Sequence, residues 1–575
     1  MKNIIPIIFS ILSFGMFFYQ YDIPMNDFIT WIILVVLFIF FFNIKLYDKK
    51  YFFQSIIIST IFSFLITFGK NVYINMANNK VSVFREFIDL SNILSFLGLC
   101  VLLFSIFINI LPKLYKYDIF AIKGKKLTNK KVFIISMIII FLCWFPYFLS
   151  LYPGELSSDS ITEIATFVNN FKNLSNHHPV IHMLFVYIPY NLIYNIFGNA
   201  NLAVASSTLL QMLIMASIFS YMIMFLHKKN IKINILILCL IYFSLVPVHA
   251  FYSVTMWKDI IFSGLILLLV IELIKIYEKK DVLQIKNLIW FIIISILMLF
   301  FRNNAIYMYF ILIIFILLFF RKKFYVFLTS FIIVIGVYFV ITYPLFNALN
   351  IKRSSSSEYI AIPLQQIGRM VYKDVKLNKE EKKLNNDLIG VEELKKSYNP
   401  YSVDTIKFNK NYDAKVFDKN KSKYLKLWFN LVIKNPTVAI ESYAVSTLGY
   451  WYPNVDNWVI CDGIYANNLG IYRQPKVTNV LGNIINKMDS KNIALFGMFW
   501  STSLSFYLIV IFGLLSVKKN NLQSLVFYIP VFGIWLTMMI ASPVNSEFRY
   551  IYPSYTCLPI LIIIPYLFSK KKIKR

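Results

Sequence analysis

Cysteine is scarce, with five residues in 575. Cys100, Cys143, Cys239 and Cys557 lie in or beside apolar runs, and Cys461 has no obvious partner. The spacing supports neither a disulfide framework nor a thiolate zinc site. Acid is scarce as well: 28 Asp and Glu stand against 57 Lys and Arg, a formal net charge of +29. No glycine-rich phosphate loop of Walker or dinucleotide type is present, and no internal repeat. The positive excess does not read as a nucleic-acid patch, because it is parcelled into short clusters between apolar runs. It reads as topology signal and lipid-headgroup contact.

What the chain has in abundance is apolar surface, 58% hydrophobic and 18% aromatic residues. Repeated apolar runs of about 17–25 residues, flanked by Lys or aromatic residues, predict transmembrane helices. Fourteen spans are read, at about 4–20, 30–46, 52–69, 92–111, 132–150, 200–226, 233–252, 259–276, 287–301, 304–320, 324–345, 493–516, 524–542 and 551–568. Met1 to Tyr19 has the basic start and apolar middle of a signal segment without a small-x-small cleavage site, so it is taken as an uncleaved first span. The expected fold is an all-α polytopic membrane protein with one small soluble domain.

Charge sets the expected orientation. With the N-terminus inside, the short cytoplasmic segments collect 28 Lys and Arg, and the short outer loops only 7. The segment Val180 to Phe197 is apolar enough to span, but counting it would invert every downstream cluster. It is therefore read as an interfacial helix. This topology makes the cell membrane the location, with both termini cytoplasmic. It also puts one set of motifs outside.

The densest of these follows the span 132–150. It runs Tyr152-Pro153-Gly154-Glu155, then Asp159, Glu163, and His177-His178-Pro179. Ionisable groups beside spans are costly and usually mark function. Asp159 and Glu163 are one helical turn apart and share a face, with Glu155 a turn earlier. Any of the three carboxylates is a candidate general base. His177 or His178 is a candidate for phosphate binding, proton transfer or metal ligation, and a divalent metal is possible, on a weak signal. Lys258 in Trp257-Lys258-Asp259, Arg302 in Arg302-Asn303-Asn304 and Arg549 in Glu547-Phe548-Arg549 are outer cations suited to a phosphate leaving group. The alternative for each is snorkelling to lipid headgroups. His182, His227 and His249 read as isolated and structural.

The loop 346–492 is the one long polar region, with 22 Lys and Arg and 14 Asp and Glu. Helix-like stretches and turn signals mark it as a small domain. Its aromatic end, Tyr450-Trp451-Tyr452-Pro453 with Trp458, suits stacking on sugars or a place at headgroup level.

On these residues the chain resembles the GT-C superfamily of membrane glycosyltransferases. The matching stretches are Asp159 to Ala165, His178-Pro179-Val180-Ile181, and Ile196-Phe197-Gly198. Where the lipid A aminoarabinose transferases and protein O-mannosyltransferases carry Asp-Glu, this chain has Asp159-Ser160, and His178 stands where they carry Lys or His. Over most of its length it is more similar to an uncharacterised family of multispanning proteins from Gram-positive bacteria. That family shares Tyr-Pro-Gly, His-His-Pro, Trp-Lys-Asp, Arg-Asn-Asn, Ile-Pro-Leu-Gln-Gln (Ile362 to Gln366) and Phe-Arg-Tyr. The resemblance implies inverting transfer of a sugar from a polyprenyl-phosphate carrier to an extracytoplasmic acceptor. Asp159 would be the base, and His178 the phosphate contact, with Lys258 and Arg302 as substitutes. It also implies a GT-C-like core over 132–345 with its first outer loop at 151–199. A four-span region at 1–131, the loop domain 346–492 and a three-span region at 493–575 surround that core. Rival readings are a flippase or transporter, or a polymerase, of lipid-linked glycans.

Overall fold

The computed structural model describes residues 4–21, 28–43, 49–76, 87–120, 127–169, 174–278, 285–352, 360–455, 463–488 and 497–568. Trp458, Cys461, Lys172 and the basic tail from Lys570 lie outside them. Among the described residues every regular element is a helix, and extended backbone occurs only as isolated bridges.

Eight helices are long and apolar enough to cross a membrane, or nine if the bent pair Ile233–Leu245 and Pro247–Val254 is one span. The fourteen spans of the sequence reading are not matched. At about 1.5 Å per residue, the shorter apolar helices Ile285–Phe301, Ala305–Phe319 and Ile529–Ala541 fall short of a ~30 Å hydrocarbon core. Val180–Phe197, expected to lie along the interface, is among the eight.

Lys258–Glu278 is the central helix. It is apolar on every side, and such a helix is stable only when surrounded. Ala200–Lys228, Ile285–Phe301 and Phe548–Leu567 surround it. Asn129–Ser150 packs on Ala200–Lys228, and Trp144 Nε1 donates to the Phe243 carbonyl at 3.0 Å where the bent pair turns by 49°. Pro247 opens the second limb of that pair at a position where its missing N–H costs nothing. The helices Ile4–Tyr21, Phe28–Phe42, Lys49–Asn75 and Leu90–Lys116 form a side group. It joins the rest through Phe62 and Tyr507, whose rings meet edge to face at 4.5 Å.

Within the polar loop, helices pack around a core of Leu364, Ile367, Met370, Leu394, Ile406 and Leu431. Within it the fully buried Arg369 meets Glu441 at 3.6 Å and Tyr398 Oη at 3.3 Å. Its aromatic end does not stack outward. Tyr450, Trp451 and Tyr452 are buried against Lys49–Asn75 and Ile529–Ala541, with Trp535 Nε1 on the Tyr450 carbonyl at 2.8 Å. Desolvating three aromatic rings outweighs any surface role they would have had.

After a turn at 151–153, Glu155 and Leu156 bridge to two other segments, at Thr255 and Ile464. Glu155 N donates to the Val254 carbonyl at 2.9 Å, Met256 N to the Glu155 carbonyl at 3.0 Å, and Tyr465 N to the Leu156 carbonyl at 2.9 Å. Gly154 makes this possible. Its φ is +142°, and a Cβ there would lie 2.5 Å from Thr208 Oγ1. Gly154→Ala is expected to lower the unfolding midpoint by an amount matching about 1–3 kcal/mol. Gly198→Asn, at φ +63° in open space, serves as the tolerated control, and equal melting of the two variants would refute the steric account.

Candidate functional site

The first-loop helix Ser158–Val168 is fixed by its N-terminal serines. Ser160 Oγ donates to the Met256 carbonyl at 2.6 Å, and Trp257 Nε1 donates to Ser157 Oγ at 3.0 Å. These bonds bring Asp159 to the Trp257-Lys258-Asp259 segment. The Arg302–Asn304 connector is tied in through Asn303, whose Nδ2 donates to the Asn176 carbonyl at 2.6 Å, next to His177. Ser542-Pro543-Val544 closes the ring and leads into Glu547 and Arg549.

The result is a cleft of about 220 Å³ at one end of the helix bundle, beneath the polar helical unit. Asp159, His177, Lys258, Asp259, Arg302 and Arg549 line it. So do Asn303, Asn304 and Tyr550. Segments nearly 400 residues apart in sequence therefore meet at one place.

The cations are held differently. Arg302 is buried and paired with the fully buried Asp259 at 2.9 Å. Its guanidinium also lies 5.1 Å from the Tyr550 ring centroid and 5.4 Å from that of Phe262. Arg549 pairs with the buried Glu547, donates to Asp159 Oδ2 at 3.3 Å, and lies 5.1 Å from the Trp257 ring. Lys258 makes no ion pair among the described residues, so its ammonium is the cation open to a ligand.

The carboxylates divide in the same way. The Asp159 side chain is 37% exposed. Burial pushes its carboxyl up, but Lys258, then Arg549 and His178, outweigh this and hold it below the usual carboxylate range. Glu547 goes the other way, its carboxyl pushed up by burial despite Arg549. Glu155 and Glu163, expected as further catalytic groups, do not line the cleft. Glu155 is buried on Arg473 and the Gly463 N–H at 2.5 Å, where it ties the first loop to a distant one. Glu163 is buried on His182 at 2.8 Å and lies 3.6 Å from His178. Two acids one turn apart thus take different surroundings, because the helix lies with Glu163 turned to the bundle. His182, read as isolated, is the principal partner of Glu163.

His177 reaches the cleft and His178 does not. Burial and Lys258 push the His178 imidazole down to about 4, against the pull of Glu163 and Asp159. It is neutral near pH 7 and supplies no cation for a phosphate. Between an unfolded value near 6.5 and the folded value, the unfolded chain binds the extra proton, so stability falls as pH drops through that window. The expected loss by pH 4 is roughly 3 kcal/mol. Melting curves should show a smaller decline for His178→Gln. A slope unchanged by the substitution would remove His178 as the cause.

Among the described residues no group of three or more His, Cys, Asp and Glu side chains is arranged to hold a metal ion. The expectation of a divalent metal finds no ligand set there.

Residues 170–575 match a family of unknown function (DUF6020). The chain belongs to that family. No curated protein and no solved structure matches it. The DUF6020 region takes in His177, Lys258, Arg302 and Arg549 and starts after Asp159, so the cleft combines it with the segment just before.

Three lining residues from the polar helical unit escaped sequence reasoning, Asp404, Lys407 and Phe408, as did Met538, Ala541 and Pro543. The first three occur in an ordinary charged stretch, Asp404-Thr405-Ile406-Lys407-Phe408, with no motif to single them out. Arg473 was missed for the same reason.

Proposed function

We propose that this chain is an integral membrane glycosyltransferase of GT-C type, which moves a sugar from a polyprenyl-phosphate carrier to an acceptor hydroxyl outside the membrane. The acceptor would be a wall polymer, a glycolipid or a protein. The observation that carries the reading is the Asp159 carboxylate: ionised, part-exposed, and facing a cleft whose other walls bear Lys258, Arg302 and Arg549. A base and a set of phosphate-sized cations around one space suit displacement of a phosphate from a sugar.

In that reaction the acceptor oxygen attacks the anomeric carbon. Its proton passes to Asp159, the bond from the anomeric carbon to the phosphate oxygen breaks, and the electron pair leaves with the carrier phosphate. Lys258 meets the departing charge directly. Arg302 and Arg549, each neutralised by a buried acid, shape the field around it. Attack by the acceptor from the face opposite the departing phosphate gives inversion.

The test uses full-length protein in detergent with radiolabelled polyprenyl-phosphate sugars, following release of label from the carrier. Release above a protein-free control supports the reading. No release from hexose, N-acetylhexosamine or pentose donors, alongside lipid scrambling in proteoliposomes, would replace the transferase with a flippase.

A further inference from the structure

One wall of the cleft comes from the polar helical unit, through the short stretch Asp404–Phe408. Its attachment is specific. Val403 N donates to the Pro543 carbonyl at 2.9 Å, and Asn545 N donates to the Tyr401 carbonyl at 2.9 Å. Ser402 and Val544 form an antiparallel bridge. The stretch is therefore clamped to the same connector that leads into Glu547 and Arg549, and its place over the cleft is fixed by backbone bonds.

Phe408 is 73% exposed although it belongs to a packed unit and lines a cleft. Lys407 Nζ lies 5.7 Å from the ring centroid and 3.1 Å from Asp404 Oδ1. The Lys407 side chain is almost wholly buried, while the Asp404 side chain is 36% exposed. An exposed arene beside a half-exposed carboxylate has the two chemistries that a pyranose presents. The sugar's C–H face packs on a ring, and its rim of hydroxyls donates to an acid. A prenyl chain would match the arene but not the adjacent carboxylate.

We propose that Phe408 and Asp404 form a sugar-binding subsite, with Phe408 stacking on the transferred sugar and Asp404 accepting from its hydroxyls, in the same cleft as the phosphate-binding cations. This rests on the transferase reading and adds the group that selects the sugar. The polar helical unit then serves as a specificity wall. Phe408 and Asp404 are positioning residues, distinct from the base.

Equilibrium binding on the full-length protein in nanodiscs tests it. The probes are radiolabelled polyprenyl phosphate without sugar and the same carrier bearing a hexose, an N-acetylhexosamine or a pentose. Phe408→Ala is expected to weaken the preferred sugar-bearing carrier roughly tenfold, the scale of one aromatic contact. It should leave the bare carrier unchanged, and Phe408→Trp should retain binding. Asp404→Asn should alter the ranking among sugars. Because Phe408 is mostly exposed, its truncation leaves the fold intact. Equal weakening of bare and sugar-bearing carriers would assign Phe408 to the lipid and overturn the subsite. Unchanged binding of all probes by Phe408→Ala would overturn it too, with the transferase reading intact. A wild type that binds no sugar-bearing carrier better than the bare one would overturn the subsite, while the transferase reading stands or falls by release of sugar from the carrier.

Discussion

Asp159→Asn is expected to cut carrier-dependent sugar release by a factor on the order of 10²–10⁴, the usual contribution of a positioned general base. The amide keeps the shape and can still accept from Arg549 Nη1, so cleft geometry and carrier affinity should be retained. The loss should therefore appear in turnover and not in binding. Asp159→Glu keeps the charge in a displaced position and should fall between the two. The pH profile gives a second check. Because the neighbouring cations hold the Asp159 carboxyl below its ordinary range, the base is already ionised at about pH 5. Any acid limb that this group gives the wild-type rate should then lie below the range of an ordinary carboxylate. Release undiminished in Asp159→Asn would keep a transferase and remove its base. A matching loss of carrier affinity would instead make Asp159 a binding residue.

The cleft was partly legible in the sequence because its motifs are short, charged and sited at the ends of apolar runs. Charge beside a bilayer is conspicuous, so Asp159, Lys258, Arg302 and Arg549 stood out without any structure. Their neighbours did not stand out equally. Glu163 has the same chemistry as Asp159 one helical turn on, and only the rotation of one short helix, set by Ser160 on the Met256 carbonyl, decides which of the two faces the cleft, while Glu155 lies before that helix and is taken up by Arg473. Asp404 and Phe408 lie in a polar segment where charge is ordinary, and their arrival over the site depends on backbone pairing across some 140 positions, which no local pattern encodes. The aromatic end Tyr450 to Tyr452 shows the opposite error, since its composition suited a surface and packing buried it. Hydropathy sums over a window, so the fourteen spans read from it are a coarser count than the eight or nine long apolar helices among the described residues.

Arg549→Met should be the most damaging single change to the fold around the site. Arg549 is the partner of Glu547, whose side chain is almost wholly buried. Removing one member of a buried pair leaves an uncompensated charge, at a cost of about 3–5 kcal/mol. The protein can limit that cost by protonating Glu547, whose carboxyl burial already pushes up. This sets the sign of the pH dependence. An acid whose folded value lies above its unfolded value binds more protons when folded, so stability falls as pH rises through the interval. Arg549→Met should therefore melt lower at pH 8 than at pH 5, the reverse of the trend that His178 gives the wild type. Adding Glu547→Gln should restore most of the melting temperature by removing the buried charge, and the double variant should be nearly independent of pH at this site. It should not restore turnover, because Asp159 and the departing phosphate would still lack the guanidinium. A double variant as unstable as Arg549→Met alone would mean that the Trp257 and Tyr550 contacts of Arg549, and not its charge, hold this end of the bundle together.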